Sequence, residues 1–247
     1  MDKKLQTTLN RLNANVFYRE FSFSKNSFTP VPGRSKELAD HIVWIDDLLI
    51  IFQLKERENV SSSEEAHRSW FHNKVLKKAT KQVRDTLQYL REYPEIHIQN
   101  ERGHTFNISS ASPRRIVKLV VYSGSASLPA DLSRMRFHDS RSAGFMHIMT
   151  WPDYIEVCTT LITPAELVEY FEFREKAINR RLAEGGGPSE SALLGQFLYG
   201  DFDFAPNERY IEYLKKLKHD EADFDIFHFL DHLGDHIVYE EFEGDER

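Results

Sequence analysis

The sequence predicts an α/β fold, a mixed β-sheet flanked by helices with a C-terminal helical extension. Three observations carry that prediction. Two apolar runs, Glu37 to Asp46 and Asp47 to Arg57, meet at an Asp-Asp pair suited to a tight turn. From about Glu65 to Glu92 the apolar period lengthens to that of a helix. Beyond the Gly185-Gly186-Gly187-Pro188 run the pattern is helical and acidic. The expected organisation is a sheet-bearing domain over residues 1–184 and an acidic helical region over residues 188–247.

In chain order, Leu5, Leu9, Leu12 and Val16 fall at helical spacing, and Phe17 to Ser24 alternates large apolar with smaller residues, as a strand does. Residues 25–36 hold two prolines and a glycine among Ser, Asn and Arg, the composition of a loop. The hairpin from Glu37 to Arg57 is apolar on both faces, with Ile42, Trp44, Leu49 and Ile51 on one and Val43, Ile45, Ile50 and Phe52 on the other. That pattern predicts a central hairpin, covered on both sides. In the helix after it, Leu76, Ala79, Val83, Leu87 and Leu90 form a packing stripe. Ile96 to Gln99, Thr105 to Ile108, Arg115 to Tyr122 and Phe145 to Thr150 are expected to complete the mixed sheet. Thr163-Pro164-Ala165-Glu166 joins a cap, a proline at the first helical position and an acid at the third, opening a helix that runs to about Leu182.

Composition narrows the function. The single cysteine, Cys158, excludes an internal disulfide, and no Cys/His set has zinc-finger spacing. Cys158 follows Trp151-Pro152 among apolar neighbours and reads as a packing residue rather than a nucleophile. The longest aliphatic run, Leu48 to Phe52, is too short to cross a bilayer, and the first residues have no apolar leader core, so a cytoplasmic protein without membrane contact is expected. Phosphate-loop, dinucleotide-binding and H-E-x-x-H motifs do not occur, which argues against NTPases, nicotinamide enzymes and zincin proteases. The net charge of −7 speaks against a protein that coats nucleic acid, yet the charge is uneven. Between Arg68 and Arg91 seven Lys or Arg face one acid, whereas from Gly200 onward fifteen acids face five bases.

The chemistry concentrates on the hairpin. A two-residue turn at Asp46-Asp47 pairs Ile45 with Leu48 and sets Asp40 across from Gln53, with Lys55 two residues on and projecting from the same face. A carboxylate and an amide carbonyl are hard oxygen donors suited to Mg²⁺, which takes one or two protein carboxylates and keeps several waters. A nearby lysine offsets charge that grows on a phosphate under attack. In the bland alternative Gln53 and Lys55 mark where a strand leaves the core and Asp40 is a structural hydrogen-bonding residue near the other end, since short polar triplets are common.

Glu37-Leu38-Ala39-Asp40, the buried hairpin, Gln53-Leu54-Lys55 and the basic amphipathic helix together resemble the core of the PD-(D/E)XK nuclease superfamily, in particular its Mrr-like branch with Gln in the motif. The resemblance covers roughly residues 1–150, and its core is residues 37–92. It implies a restriction-endonuclease-like fold, Mg²⁺ dependence with Mn²⁺ able to substitute, and hydrolysis of phosphodiester bonds in DNA, in a setting of phage defence, restriction or repair. Asp40 looks like the family's metal-binding Asp, Gln53 like its Glu-or-Gln ligand and Lys55 like its catalytic lysine. Glu37 resembles an additional acidic ligand, and it reaches the metal with Asp40 only if a bulge or helix end intervenes, because residues three apart in a strand face opposite ways. Two departures stand out: Ala39 replaces the proline before the Asp, and the neutral Gln53 weakens the site's hold on a cation. The second leaves open a catalytically inactive module that binds nucleic acid or a protein partner.

On the helix, Lys77, Lys78, Lys81 and Arg84 would line one flank and track a phosphate backbone, with Gln82 near the packing edge. A solvated helix face is the alternative. In the acidic region His228, His232 and His236 recur at spacings of four, but Gly234 breaks the helix and zinc needs more converging ligands, so an ordinary helix is the simpler reading. Its Phe224, Phe227, Phe229 and Tyr239 suggest packing on the first domain, a second copy of the chain or a partner subunit.

Overall fold

The computed structural model describes residues 4–31, 34–57, 63–110, 113–124, 128–182 and 189–199. Helix α1 (Lys4–Val16) opens the chain and buries Leu5, Leu9 and Asn13. The stripe therefore runs through a polar residue, where Leu12 and Val16 had been expected. The predicted strand after it is mostly a helical turn, α2 (Tyr18–Phe21), and only β1 (Ser22–Phe23) is extended. Within the expected loop, the described residues from 27 onward are extended. They form β2 (Ser27–Val31) and β3 (Arg34–Glu37), an antiparallel pair whose register shifts between Phe28 and Val31, where Pro30 cannot donate to a ladder.

The central hairpin is β4 (His41–Ile45) and β5 (Leu48–Lys55). Asp46 takes φ +49°, a left-handed conformation that Asp tolerates, so two residues suffice for the turn. Ile45 then faces Leu48, and the register holds to His41 opposite Phe52. Asp40, one residue beyond the last pair, continues on the face of Gln53 and Lys55.

After the hairpin come α3 (Glu64–Trp70), a π-helical stretch (Phe71–Lys78) and α4 (Ala79–Glu92), running into one another without a break. Strands β6 (His97–Gln99) and β7 (Thr105–Asn107) pair only with each other; they sit apart from the main sheet, attached to the β1–β2 connection by a bridge from Gln99 to Lys25. Next are β8 (Arg115–Tyr122), the short α5 (Ala130–Ser133), β9 (Phe137–Ser140) and β10 (Gly144–Thr150). β9 has no apolar alternation to announce it. Helix α6 (Trp151–Thr160) follows, with Thr150 and Asp153 closing a reciprocal capping box, and then α7 (Pro164–Leu182) and α8 (Glu190–Tyr199).

The main sheet has six strands in the order β1-β4-β5-β8-β10-β9. It is mixed: β5, β8 and β10 run parallel, and the other pairings are antiparallel. The π stretch and α4 cover one face through Phe71, Val75, Ala79 and Val83, packed on Ile42, Leu49, Ile51, Val120, Tyr122 and Ile148. On the other face α1 and α6 meet, where the Tyr154 hydroxyl donates to Asn13 Oδ1 at 2.6 Å and the Tyr154 ring packs on Phe52. Wholly buried β5 strand residues on both faces agree with a central hairpin.

The chain divides into two units after Phe171, inside α7. In the second, Arg174 and Glu190 form a fully buried bidentate pair at 2.7 Å, and Phe173 packs on Phe197. The Gly185–Pro188 linker, His228, His232, His236 and the acidic segments from residue 200 lie outside the described residues. No described helix is long and apolar enough to cross a membrane.

Candidate active site

Between β3 and β4 the extended chain is interrupted at Leu38 to Asp40, and polar contacts hold the interruption. Asn26, itself buried, accepts from the Leu38 amide through its backbone carbonyl and from the Ala39 amide through Oδ1, each at 3.2 Å. The Thr86 hydroxyl of α4 bonds the Leu38 carbonyl, and Gln6 of α1 donates to the Asp40 carbonyl at 3.1 Å. Such a break removes the strict alternation of a strand. Glu37 and Asp40, three residues apart, consequently line the same cleft.

Asp40 Oδ2 accepts the Leu54 amide at 2.7 Å and lies 3.4 Å from the Lys55 ammonium. That ammonium also donates to Gln53 Oε1 at 3.4 Å and to the Leu54 carbonyl at 3.0 Å. Three oxygens from three residues thus converge on one positive centre. Asp40 and Lys55 are each only 6% exposed, so their attraction is weakly screened, while the cost of leaving either alone is high. Gln53 is fully buried and does not line the cleft. It sits behind Lys55, with Oε1 on the ammonium and Nε2 without a partner.

The cleft has a volume of about 340 Å³. Asp40, Lys55 and the Leu54 backbone lie at the end of β5, Glu37 and Glu56 flank them, Leu5 and Gln6 of α1 form one wall, and Trp70, Lys74, Lys78 and Gln82 form the other. Glu56 accepts the Leu5 amide at 3.4 Å in the first turn of α1, where helix amides lack partners of their own.

The helical wall differs from the expected basic flank. Lys78 and Gln82 line the cleft; Lys77, Lys81 and Arg84 do not. Lys81 and Arg84 instead both pair with Asp85, at 3.0 and 2.8 Å. The π stretch explains the difference. In an α-helix four residues carry a side chain about 400° round, so a series at steps of four drifts steadily off any one face. A π turn holds more residues, and four of them fall short of a full turn. The two drifts oppose each other along Phe71–Lys78 and α4, which keeps Trp70, Lys74, Lys78 and Gln82 aligned towards the cleft. Trp70, Lys74 and Glu56 were not singled out from the sequence. Their signal was present, a tryptophan and a lysine at the same spacing as Lys78 and Gln82, but reading it required the local change of helical period.

Mg²⁺ suits this donor set. Asp40 Oδ2 and the Leu54 carbonyl are hard oxygens beside a positive charge at the cleft, Glu37 and Glu56 are further carboxylates lining it, and Gln53 Oε1 lies behind them on the Lys55 ammonium. Among the described residues no three of His, Cys, Asp and Glu cluster as a metal cage. A site of one or two carboxylates with carbonyl and water ligands fits the residues present.

No family model, curated protein or solved structure matches this chain.

Proposed function

We propose that the chain is a Mg²⁺-dependent nuclease of the PD-(D/E)XK type with a restriction-endonuclease-like fold, hydrolysing phosphodiester bonds, with DNA as the expected substrate. The observation that carries this reading is the convergence of Asp40, Gln53 and Leu54 oxygens on the Lys55 ammonium, beneath a cleft walled by Lys74 and Lys78. In this reading Asp40 and the Leu54 carbonyl would hold the ion, with Glu37 lining the same cleft and Gln53 behind Lys55, and Mn²⁺ would substitute. The bound ion supplies charge stabilisation for a phosphoryl group under attack. The Lys55 ammonium, beside Asp40 at the cleft, would offset charge developing on the phosphate oxygens. Lys74 and Lys78 seat the phosphate backbone. Gln53 Oε1 accepts from the Lys55 ammonium and so positions the head of that side chain.

A second reading has a specific observation behind it. The ammonium itself fills the centre of the three oxygens and neutralises Asp40, as it would in a nuclease-fold module that binds nucleic acid without cutting it. One assay separates the two. Purified protein with Mg²⁺ or Mn²⁺ is given duplex DNA, single-stranded DNA and RNA beside Asp40→Asn and Lys55→Ala. The nuclease reading expects cleavage by the parent protein and a loss of roughly a hundredfold to a thousandfold in both variants, the scale of removing a main electrostatic stabiliser. Equal activity in all three proteins, or none on any substrate, rejects it.

A further inference from the structure

We infer that the cleft receives an unpaired nucleotide, its base stacked on Trp70 and its backbone along Lys74 and Lys78, so that the protein selects single strands or frayed ends over closed duplex. This rests on the reading of the cleft as a nucleic-acid site.

Four observations point the same way. Trp70 lines the cleft and is half-buried, and its ring is held from two sides, by Tyr122 at 6.3 Å with a 59° tilt and by the Arg57 guanidinium 5.6 Å from its centroid. An indole held rigid but partly open is a stacking platform, since every base offers a π-face. Lys74 and Lys78, both exposed, stand next to it on the same stripe at the spacing the π stretch keeps aligned. At the far end of that stripe Gln82 lines the cleft with its side-chain oxygen buried and without a hydrogen-bond partner, an acceptor that an exocyclic base amine or a sugar hydroxyl would satisfy. Finally, about 340 Å³ is the low end for small-ligand sites and is recessed between α1 and the π stretch. A duplex keeps its base faces stacked inside and cannot offer one to Trp70 unless a nucleotide is extruded or an end is frayed.

The test measures binding in EDTA, where cleavage plays no part. Labelled oligothymidylate, oligouridylate and a relaxed, covalently closed circular duplex are titrated against the parent protein, Trp70→Leu, Trp70→Phe and the double variant Lys74→Ala/Lys78→Ala. The inference expects a single strand, DNA or RNA, to bind at least about tenfold tighter than closed duplex, and the tighter of the two strands names the source. Trp70→Leu should lose about fivefold or more on the single strand with no change on duplex, and Trp70→Phe, which keeps a ring, should retain most of the affinity. The double lysine variant should weaken both ligands and flatten the salt dependence. Duplex bound as tightly as single strand, an unchanged preference in folded Trp70→Leu, or no binding to any oligonucleotide would overturn the inference. A protein that prefers single strands but never cuts with Mg²⁺ would keep this inference and lose the nuclease reading.

Discussion

The two faces of the central hairpin both bury polar groups, and they treat them in opposite ways. On the α4 face, Asp40, Gln53 and Lys55 satisfy one another and lie against a cleft. On the α1 and α6 face, His41 is fully buried, neither ring nitrogen has a partner, and burial lowers its pKa to about 3. Its ring packs on Phe52, which packs on Tyr154, and burial pushes the neighbouring Cys158 thiol up to about 12. A thiol held protonated is no nucleophile at neutral pH. Burial alone therefore yields neutral, inert groups. What distinguishes the other face is that opposite charges accompany each other there, and that the pair adjoins an opening to solvent.

Separating the charges of the first face should have the largest effect. Lys55→Met leaves the Asp40 carboxylate buried with the Leu54 amide as its main partner, and breaking a buried pair in this way costs about 3–5 kcal/mol. Removing both charges in Asp40→Asn/Lys55→Met should restore much of that loss, because no uncompensated charge remains. Denaturant melts of the two variants decide the matter. A double variant no more stable than the single one would show that the pair is not the unit that holds this face.

The second face should respond to pH. A histidine whose folded pKa lies below its unfolded value contributes stability that is complete above the unfolded pKa, near 6.5, and is lost as pH falls towards 3. At pH 5 the loss from this one group is about 2 kcal/mol, from a difference of roughly one and a half pH units at 1.36 kcal/mol each. His41→Phe should remove that share of the acid sensitivity. The comparison is the fall in stability between pH 7.5 and 5 in the parent and the variant, and equal falls would mean that His41 finds a partner that keeps it charged.

The hairpin was legible in the sequence because its signals are local. Asp46-Asp47 specified a two-residue turn, the turn specified the register, and the register placed Asp40 on the face of Gln53 and Lys55. Arg115 to Tyr122 was equally readable as an apolar run. Non-local features were not. The interruption that brings Glu37 to Asp40 depends on Asn26, Thr86 and Gln6, each distant in sequence and unremarkable by itself. Strands β2 and β3 hid behind two prolines and a glycine, and β6 with β7 read as strands but gave no sign of which sheet they join. The helical wall was legible in part: Lys78 and Gln82 line the cleft, whereas Lys77, Lys81 and Arg84, grouped with them on a constant helical period, do not, and the π stretch brings Trp70 and Lys74 to the same side.

The smallest expected effect concerns how the two faces are joined to the rest of the fold. His41 begins β4 and is fixed by ring packing, whereas Asp40, its neighbour, is positioned by the polar contacts of Leu38 to Asp40. Thr86 lies against both the Leu38 carbonyl and, at 2.9 Å, the Gln82 carbonyl, so its hydroxyl ties the acidic segment to the helix that walls the cleft. Thr86→Val keeps the shape and removes that tie, at a cost of about 1 kcal/mol, that of one buried hydrogen bond. The more telling readout is local. Leu54 donates its amide to Asp40 Oδ2, and if Thr86 holds Asp40 in place through Leu38, hydrogen exchange at Leu54 should quicken in Thr86→Val by more than exchange at Ile50 or Val43. Uniform quickening across the hairpin would mean that Thr86 contributes only general stability and that the two faces share one support.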